Sequence, residues 1–225
     1  MIELDGVTHQ YGDRTVLRDV TLTLTERRVA VIGANGSGKS TLARTLNGLV
    51  IPSEGRVTVL GHDTRTDGAA VRRDVGFVFT DPDAQIVMPT VGEDVAFSLR
   101  RSGISRQDRD QRVGEVLARF GLDAHADHPA HLLSGGQKQL LALASVLVTD
   151  PKVLVCDEPT TLLDLRNSRR VVQLLAGLPQ QVVLVTHHLD LVVDYDRVLV
   201  VHEGAIVHDG SAASAVPAYV RLMQE

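Results

Sequence analysis

The chain has 225 residues, of which 44% are hydrophobic and 23% are charged, and its formal net charge is −5. This length and apolar content allow one substantial core and exclude a largely disordered protein. The acidic balance argues against a nucleic-acid-binding protein that relies on a broad basic face, because phosphate contacts need clustered lysine and arginine.

Cysteine usage and apolar runs indicate the compartment. Cys156 is the only cysteine, which excludes an intramolecular disulfide and favours a reducing compartment, by default the cytoplasm. The first residues lack the pattern of a signal peptide, and no apolar run approaches the ~20 residues that span a bilayer. We therefore expect any membrane role to come through a partner.

The first third of the chain predicts strands and then a strand, loop and helix. Short apolar alternations broken by Gly6 and Gly12 predict antiparallel strands over about Met1–Leu24. The apolar run Val29–Ile32 is followed by a glycine-rich turn, after which Ser40–Leu49 is predicted to be a helix.

The rest of the chain predicts a helical middle and a parallel sheet. Strands are predicted at Val57–Leu60 and Val75–Phe79, and apolar residues at helical spacing predict a helix over Arg106–Phe120. Continuous apolar runs are typical of parallel strands that are buried on both faces. Three such runs follow, at Val153–Cys156, Val182–Val185 and Val198–Val201.

These elements predict an α/β fold with an N-terminal antiparallel β subdomain and an inserted helical subdomain. We expect a single domain over residues 1–225. Its core is expected at about 1–84 and 148–225, and its helical subdomain at about 85–147.

The glycine-rich turn carries the first chemical motif. It satisfies G-x-x-x-x-G-K-[ST] and lies between a predicted strand and a predicted helix, a context that an ordinary glycine-rich turn does not share. Its backbone N–H groups can surround phosphate oxygens, Lys39 can reach the β and γ phosphates, and Ser40 can bind Mg²⁺. The predicted ATP-binding residues of this loop are Gly33, Ala34, Asn35, Gly36, Ser37, Gly38, Lys39, Ser40 and Thr41.

Two acids end the run that begins at Val153. The carboxyl ends of parallel strands face the ligand crevice of α/β sheets, so Asp157 can hold Mg²⁺ through a water and Glu158 can polarise an attacking water. The alternative is a solvated pair of acids at a strand end, which a phosphate loop in the same chain disfavours.

A second anion-binding pattern occurs at Leu133-Ser134-Gly135-Gly136-Gln137, just before a helical pattern. A hydroxyl and two glycines at a helix N-terminus can bind an anion. Taken alone, the pentapeptide is more typical of an ordinary serine N-cap with a glycine turn.

The order of these motifs resembles that of ABC ATPases over nearly the whole chain, and so implies a P-loop NTPase with a RecA-like core. By this resemblance Tyr11 stacks on adenine, Asp164 belongs to the D-loop, and His187 is the switch histidine. Glu158, His187 and Lys39 would be the catalytic residues, with Mg²⁺ held by Ser40 and Asp157. Two cassettes would meet head to tail, so that Ser134, Gly135, Gly136 and Gln137 of one chain face the ATP of the other.

Two further segments refine the resemblance. Residues 82–91 with 93–97 resemble the ATPases of energy-coupling-factor importers, which take up vitamins or transition-metal ions, and residues 158–167 are similar to the biotin-system ATPase. Such a subunit would sit on the cytoplasmic face of the cell membrane, bound to integral membrane subunits. Thr80 departs from the pattern, because it stands where the family has the Q-loop glutamine, whose role therefore cannot be carried over.

Two other functions compete with an importer ATPase. An ABC ATPase acting on nucleic acid or the ribosome would use the same chemistry, but such proteins usually have coiled-coil insertions or paired cassettes, which this chain lacks. A P-loop kinase would leave Ser134–Gln137 and His187 without a purpose. The motifs do not decide between a homodimer and a heterodimer, although one chain contains both halves of the site.

Overall fold

The computed structural model describes residues 1–224, and its strands follow the predicted order. The strands are β1 Ile2–Tyr11, β2 Arg14–Leu24, β3 Arg28–Ile32, β4 Glu54–Val59, β5 His62–Asp63, β6 Val75–Val78, β7 Val153–Asp157, β8 Gln181–Val185, β9 Arg197–His202 and β10 Ala205–Gly210.

In the part of the chain that the structure describes, seven α-helices alternate with these strands or fill the middle of the chain. Among residues 1–224 none of them is long and apolar enough to cross a membrane. The helices are α1 Lys39–Thr45, α2 Gly68–Asp74, α3 Val91–Ser98, α4 Arg106–Phe120, α5 Gly135–Leu147, α6 Leu165–Ala176 and α7 Ala212–Leu222.

The first of two compact units comprises residues 1–75, 152–158 and the described residues from 178 onward. One sheet has the order β2-β1-β4-β5, and its strands are antiparallel. In a second sheet, β10, β9, β3, β8 and β7 are neighbours in that order. Here β3 is parallel to β8 and β9, β7 is parallel to β8, and β10 is antiparallel to β9.

Burial agrees with the parallel pairing of β3 and of β7 with β8 in the second sheet. Every residue of β3 and β7 is buried, as expected for strands that are covered on both faces. The carboxyl ends of β3 and β7 lead to residues 33–41 and 157–158, so this unit brings the two predicted chemical motifs to one edge of one sheet.

The second unit comprises residues 76–151 and 159–177 and is mainly helical. Helices α3, α4 and α5 pack on one another, and α6 packs on α5. Their packed sides carry fully buried apolar residues such as Val95, Leu117 and Leu141. The α/β fold class is therefore confirmed, while the predicted division at residues 84 and 147 stays a prediction.

Element boundaries differ from the prediction at two places. The helix predicted over Ser40–Leu49 ends at Thr45, because the N–H groups of Leu46 and Gly48 bond to carbonyls three residues earlier and Gly48 has φ +69°. The sequence also predicted no element after Val201, where β10 and α7 occur. Strand β10 is only partly buried, and α7 contains Pro217, so neither shows a continuous apolar pattern.

Candidate active site

The phosphate-loop residues 33–41 form the turn from β3 into α1. Gly38 is the N-cap of α1 at φ 109°, and a Cβ there would lie 2.6 Å from the carbonyl oxygen of Val16. Ser37 N–H donates to the carbonyl of Ala34 at 3.2 Å, which tightens the turn. Both the conformation and the close approach therefore require glycine at position 38.

Lys39 is a buried cation at the start of α1. Its side chain is 5% exposed, and Nζ donates to the carbonyl of Ala34 at 2.9 Å. Burial lowers the pKa of Lys39, and the nearby carboxylates of Glu158 and Asp157 oppose that shift. A polyanion in this turn would neutralise the ammonium better than a single carbonyl does.

Asp157 and Ser40 meet where β7 ends beside α1. Asp157 is 1% exposed, and its Oδ1 accepts a hydrogen bond of 2.8 Å from Ser40 Oγ. Burial raises the pKa of Asp157, and the Ser40 hydrogen bond and the charge of Arg44 act against this. Because the Ser40 hydroxyl is the donor in this hydrogen bond, the lone pairs of its oxygen remain available. This pair of hard oxygen groups fits Mg²⁺.

Glu158 and His187 form a second contact at the same edge. Their Oε2 and Nδ1 atoms are 2.8 Å apart. Glu158 has φ 55°, which is uncommon for a residue with a Cβ, and its N–H donates to the carbonyl of Val185 at 2.9 Å. A strained backbone that the surrounding structure holds in place is typical of functional positions, and here it holds a carboxylate beside an imidazole.

A hollow of about 300 Å³ opens beside the phosphate loop, with Tyr11, Gly36, Lys39 and Ser40 among its lining residues. Tyr11 ends β1 and is 51% exposed, with its ring edge-on to that of His9 at 4.6 Å. An exposed aromatic ring next to a phosphate loop can stack on a planar base. The first unit thus brings together all the predicted residues for ATP, Mg²⁺ and catalysis.

The second anion-binding pattern lies in the other unit, at the start of α5. Ser134 is the N-cap and forms a capping box with Gln137, in which Ser134 N–H donates to Gln137 Oε1 at 2.9 Å. A Cβ on Gly136 would lie 2.5 Å from the side chain of Asn167. Glycine at 136 therefore allows the starts of α5 and α6 to pack closely.

The predicted D-loop residue lies next to that pattern. Asp164 is the N-cap of α6 and accepts a hydrogen bond of 2.8 Å from the N–H of Asn167. Two capped helix starts are therefore adjacent in this unit.

Thr80 lies two residues after β6 and is half-buried.

Arg44 also contacts this site, although the sequence motifs did not predict it. Its Nη2 lies 3.7 Å from Oδ2 of Asp157. The available signal was its position four residues after Ser40, which places both side chains on one face of α1.

Comparisons with known proteins all point to ATP-binding proteins of transporters. A family model described as "ABC transporter" matches residues 17–161. A "Biotin transport ATP-binding protein BioM" of Rhizobium etli is 48% identical over 97% of each chain. An "Energy-coupling factor transporter ATP-binding protein EcfA1" of Halalkalibacterium halodurans is 39% identical over 93% of this chain and 78% of the relative.

A solved structure is also similar. It is cbiO1 from Clostridium perfringens, described as part of the ABC transporter complex cbiONQ. Its TM-score is 0.85 at 31% identity, over 99% of this chain and 92% of the other.

Proposed function

Because this chain belongs to the ABC transporter family, whose ATP-binding domains hydrolyse ATP, we propose that it is the ATPase subunit of an energy-coupling-factor importer. The observation that carries the ATPase part of the proposal is the convergence of Lys39, Ser40, Asp157 and Glu158 at one edge of one sheet, beside the hollow at Tyr11.

ATP binding follows from the phosphate loop and Tyr11. The phosphates replace the Ala34 carbonyl as the partner of Lys39, whose buried charge then faces a polyanion. The adenine stacks on the exposed ring of Tyr11. Residues 33–41 supply N–H donors around the phosphate oxygens.

Hydrolysis depends on the carboxylate of Glu158. It accepts a proton from the attacking water and orients that water, while His187 holds the carboxylate at 2.8 Å. When bound, Mg²⁺ would supply positive charge that offsets the charge of the phosphates. Ser40 would hold the metal through its lone pairs, and Asp157 would hold it through a water while it orients the Ser40 hydroxyl.

The active form is proposed to be a head-to-tail cassette dimer, either homo- or heteromeric. Exposed apolar side chains support a protein interface next to Ser134 and Asp164. Leu132, Leu162 and Leu165, which flank these residues in sequence, are 72%, 62% and 64% exposed. In the dimer, residues 134–137 of one chain complete the ATP site of the other.

An importer is favoured by the segments that resemble energy-coupling-factor ATPases and by the relatives' names. The chain is therefore proposed to bind integral membrane subunits as a peripheral protein of the cytoplasmic face. The cargo is a vitamin or a transition-metal ion, and biotin is the specific proposal. No observation favours action on nucleic acid.

ATP chemistry is tested by Lys39→Ala, which should abolish nucleotide binding or hydrolysis. Lys152→Ala is the matched control, since Lys152 belongs to the same unit and its side chain is 66% exposed. Near-normal ATPase in Lys39→Ala would refute the site.

The catalytic role of Glu158 is tested by Glu158→Gln, because an amide keeps the shape of the side chain but cannot act as a base. ATP binding should persist while hydrolysis slows by roughly two to four orders of magnitude. With Mg-ATP, gel filtration should show a stabilised dimer. A variant that stays monomeric at saturating Mg-ATP would count against the cassette dimer.

The importer proposal is tested by purifying a tagged chain with its membrane subunits and measuring binding of labelled biotin and of Co²⁺. Biotin binding supports the specific cargo, and Co²⁺ binding replaces it with a metal ion. Purification with nucleic acid, without membrane subunits, would refute an importer.

A further inference from the structure

Helix α1 presents two side chains to one buried carboxylate. Ser40 and Arg44 are four residues apart and so lie on one face of the helix. Ser40 Oγ donates to Oδ1 of Asp157 at 2.8 Å, while Nη2 of Arg44 lies 3.7 Å from Oδ2. Each carboxylate oxygen therefore has its own partner from α1.

This arrangement restricts rotation of the carboxylate. Nη2 of Arg44 lies beyond hydrogen-bond distance of Oδ2 but attracts it by charge, which favours an orientation of the carboxylate in which Oδ1 faces the Ser40 hydroxyl. The direction of the Ser40 proton in turn decides where its lone pairs point. A change at Arg44 would reach the proposed metal ligand through Asp157, although Arg44 does not touch that position itself.

The guanidinium of Arg44 has spare hydrogen-bonding capacity at this place. Its side chain is 43% exposed overall, yet its Nε is out of contact with water and has no hydrogen-bond partner among residues 1–224. Arginine has donors in a rigid planar fork that matches a carboxylate, whereas lysine offers a single point charge. Arg44 therefore suits an orienting role that lysine would fill less well.

A purely structural role for Arg44 makes different predictions. Arg44 lies in the last turn of α1, where a cation interacts favourably with the helix dipole. In that case its loss would lower thermal stability and leave metal binding unaffected. A third possibility is that the charge of Arg44 repels the metal ion. In that case removing Arg44 would tighten metal binding.

We propose that Arg44 is a positioning residue for the Mg²⁺ site, fixing the carboxylate of Asp157 so that Ser40 keeps its lone pairs directed at the metal. This inference rests on the proposed function, because it assumes that Ser40 and Asp157 form the metal site.

The test measures metal binding directly, with Mn²⁺ as the probe and electron paramagnetic resonance as the readout. All chains carry Glu158→Gln so that ATP is not hydrolysed, and protein is in excess so that all ATP is bound. In this background Arg44→Gln should raise the Mn²⁺ dissociation constant about tenfold. Arg44→Lys should give a smaller increase. ATP affinity in EDTA should stay within about twofold for both, since no metal is present there.

Two further variants serve as controls. Lys152→Gln removes a cation from an ion pair of 3.1 Å with Asp74, just before the strand that carries Asp157, and should leave Mn²⁺ affinity unchanged. Ser40→Ala should weaken Mn²⁺ binding if the proposed metal site is right. Normal Mn²⁺ affinity in Ser40→Ala would refute that site.

The inference about Arg44 fails separately if Ser40→Ala weakens Mn²⁺ binding and Arg44→Gln does not. It also fails if Arg44→Gln tightens binding, or if the only change is a lower melting temperature. Equal effects of Arg44→Gln and Arg44→Lys would overturn the orienting role of the planar fork.

Discussion

Asp157 illustrates a conflict between stability and function at a single residue. It is 1% exposed, and burial raises its pKa, so the folded chain disfavours the ionised form that Mg²⁺ requires. An ionised carboxylate whose pKa is raised by folding lowers the free energy of unfolding of the ligand-free protein at neutral pH. Residues kept for function commonly reduce stability in this way.

Asp157→Asn should therefore raise the melting temperature of the nucleotide-free chain. We expect a rise of a few degrees, since about 1 kcal/mol corresponds to roughly 2–4 °C for a chain of this size. A group with a raised folded pKa stabilises the fold while it is protonated, and that contribution is lost as the pH rises through the folded pKa. The advantage of Asp157→Asn should accordingly shrink as the pH is lowered, in melts between neutral and acid pH. A melting temperature below that of the parent chain at neutral pH would contradict this reasoning.

Thr80 raises a different question, because its hydroxyl lies on Cβ whereas a glutamine amide extends two carbons further. Thr80→Gln should change basal hydrolysis by less than about tenfold, or ~1.4 kcal/mol in the barrier. The reason is that a water can occupy the place of the longer side chain. Steady-state ATPase of the isolated chain is the measurement. Collapse of basal activity would show that Thr80 is part of the catalytic geometry.

Most of the candidate site was predictable from sequence, because local spacing carries its chemistry. The phosphate loop and Asp157–Glu158 each need only a few adjacent residues in a recognisable context. Arg44 was missed because its importance depends on a contact with Asp157, which is distant in sequence. The φ of Glu158 was equally hidden, since no residue next to it signals a left-handed backbone.

At the scale of elements, α5 holds the segment after β6 at two points. Lys138 Nζ contacts both carboxylate oxygens of Asp83, at 2.7 and 3.0 Å. Gln85 accepts a hydrogen bond from Phe79 N–H and donates one to the carbonyl of Ala142. Both the oxygen and the nitrogen of the Gln85 amide are therefore hydrogen-bonded to residues of the same unit.

A third point involves a buried carboxylate on α3. Asp94 is 3% exposed; its Oδ1 accepts from the N–H groups of Val87 and Met88 at 2.8 and 3.1 Å. Its Oδ2 accepts from Ser145 Oγ at 2.8 Å. Residues 138, 142 and 145 share one face of α5, so the segment 83–88 is fixed to the helix that Ser134 caps.

Asp94→Ala should destabilise the chain strongly, by about 3 kcal/mol, because it leaves several donors without an acceptor. Ser145→Ala removes only one donor and should cost about 1 kcal/mol. Urea unfolding measures both. Hydrogen exchange at Val87 and Met88 separates them, since protection should be lost in Asp94→Ala and retained in Ser145→Ala. Equal exchange in the two variants would show that Asp94 does not hold this loop.

Element boundaries were predictable where capping residues mark them. Helix α4 has the predicted bounds Arg106–Phe120, because Ser105 caps its start and Gly121 ends it at φ 65°. Residues Leu46–Leu49 continue the apolar pattern of α1, but tight turns replace the helix there. Leu46 is buried but Leu49 is 47% exposed, so the apolar pattern predicted neither the end of the helix nor the burial of its last residue.

At the scale of the whole molecule, each chain carries two different halves of the proposed site. Lys39, Asp157 and Glu158 belong to one unit, while Ser134 and Asp164 belong to the other. A head-to-tail dimer would use both halves twice, giving two composite sites. Substitutions in different halves should therefore complement each other when the two variants form mixed dimers.

Ser134→Arg should block hydrolysis on its own by placing a bulky cation at the seam, and Lys39→Ala should block it by removing the charge that binds phosphate. In a mixed dimer, one site has both defects and the other has neither. Equal mixing makes about half of the dimers mixed, so independent sites should recover about a quarter of the parent rate. The measurement is ATPase of the mixture against each variant alone, with mixed dimers verified by two different affinity tags. If verified mixed dimers show no recovery, the two halves do not form a shared site.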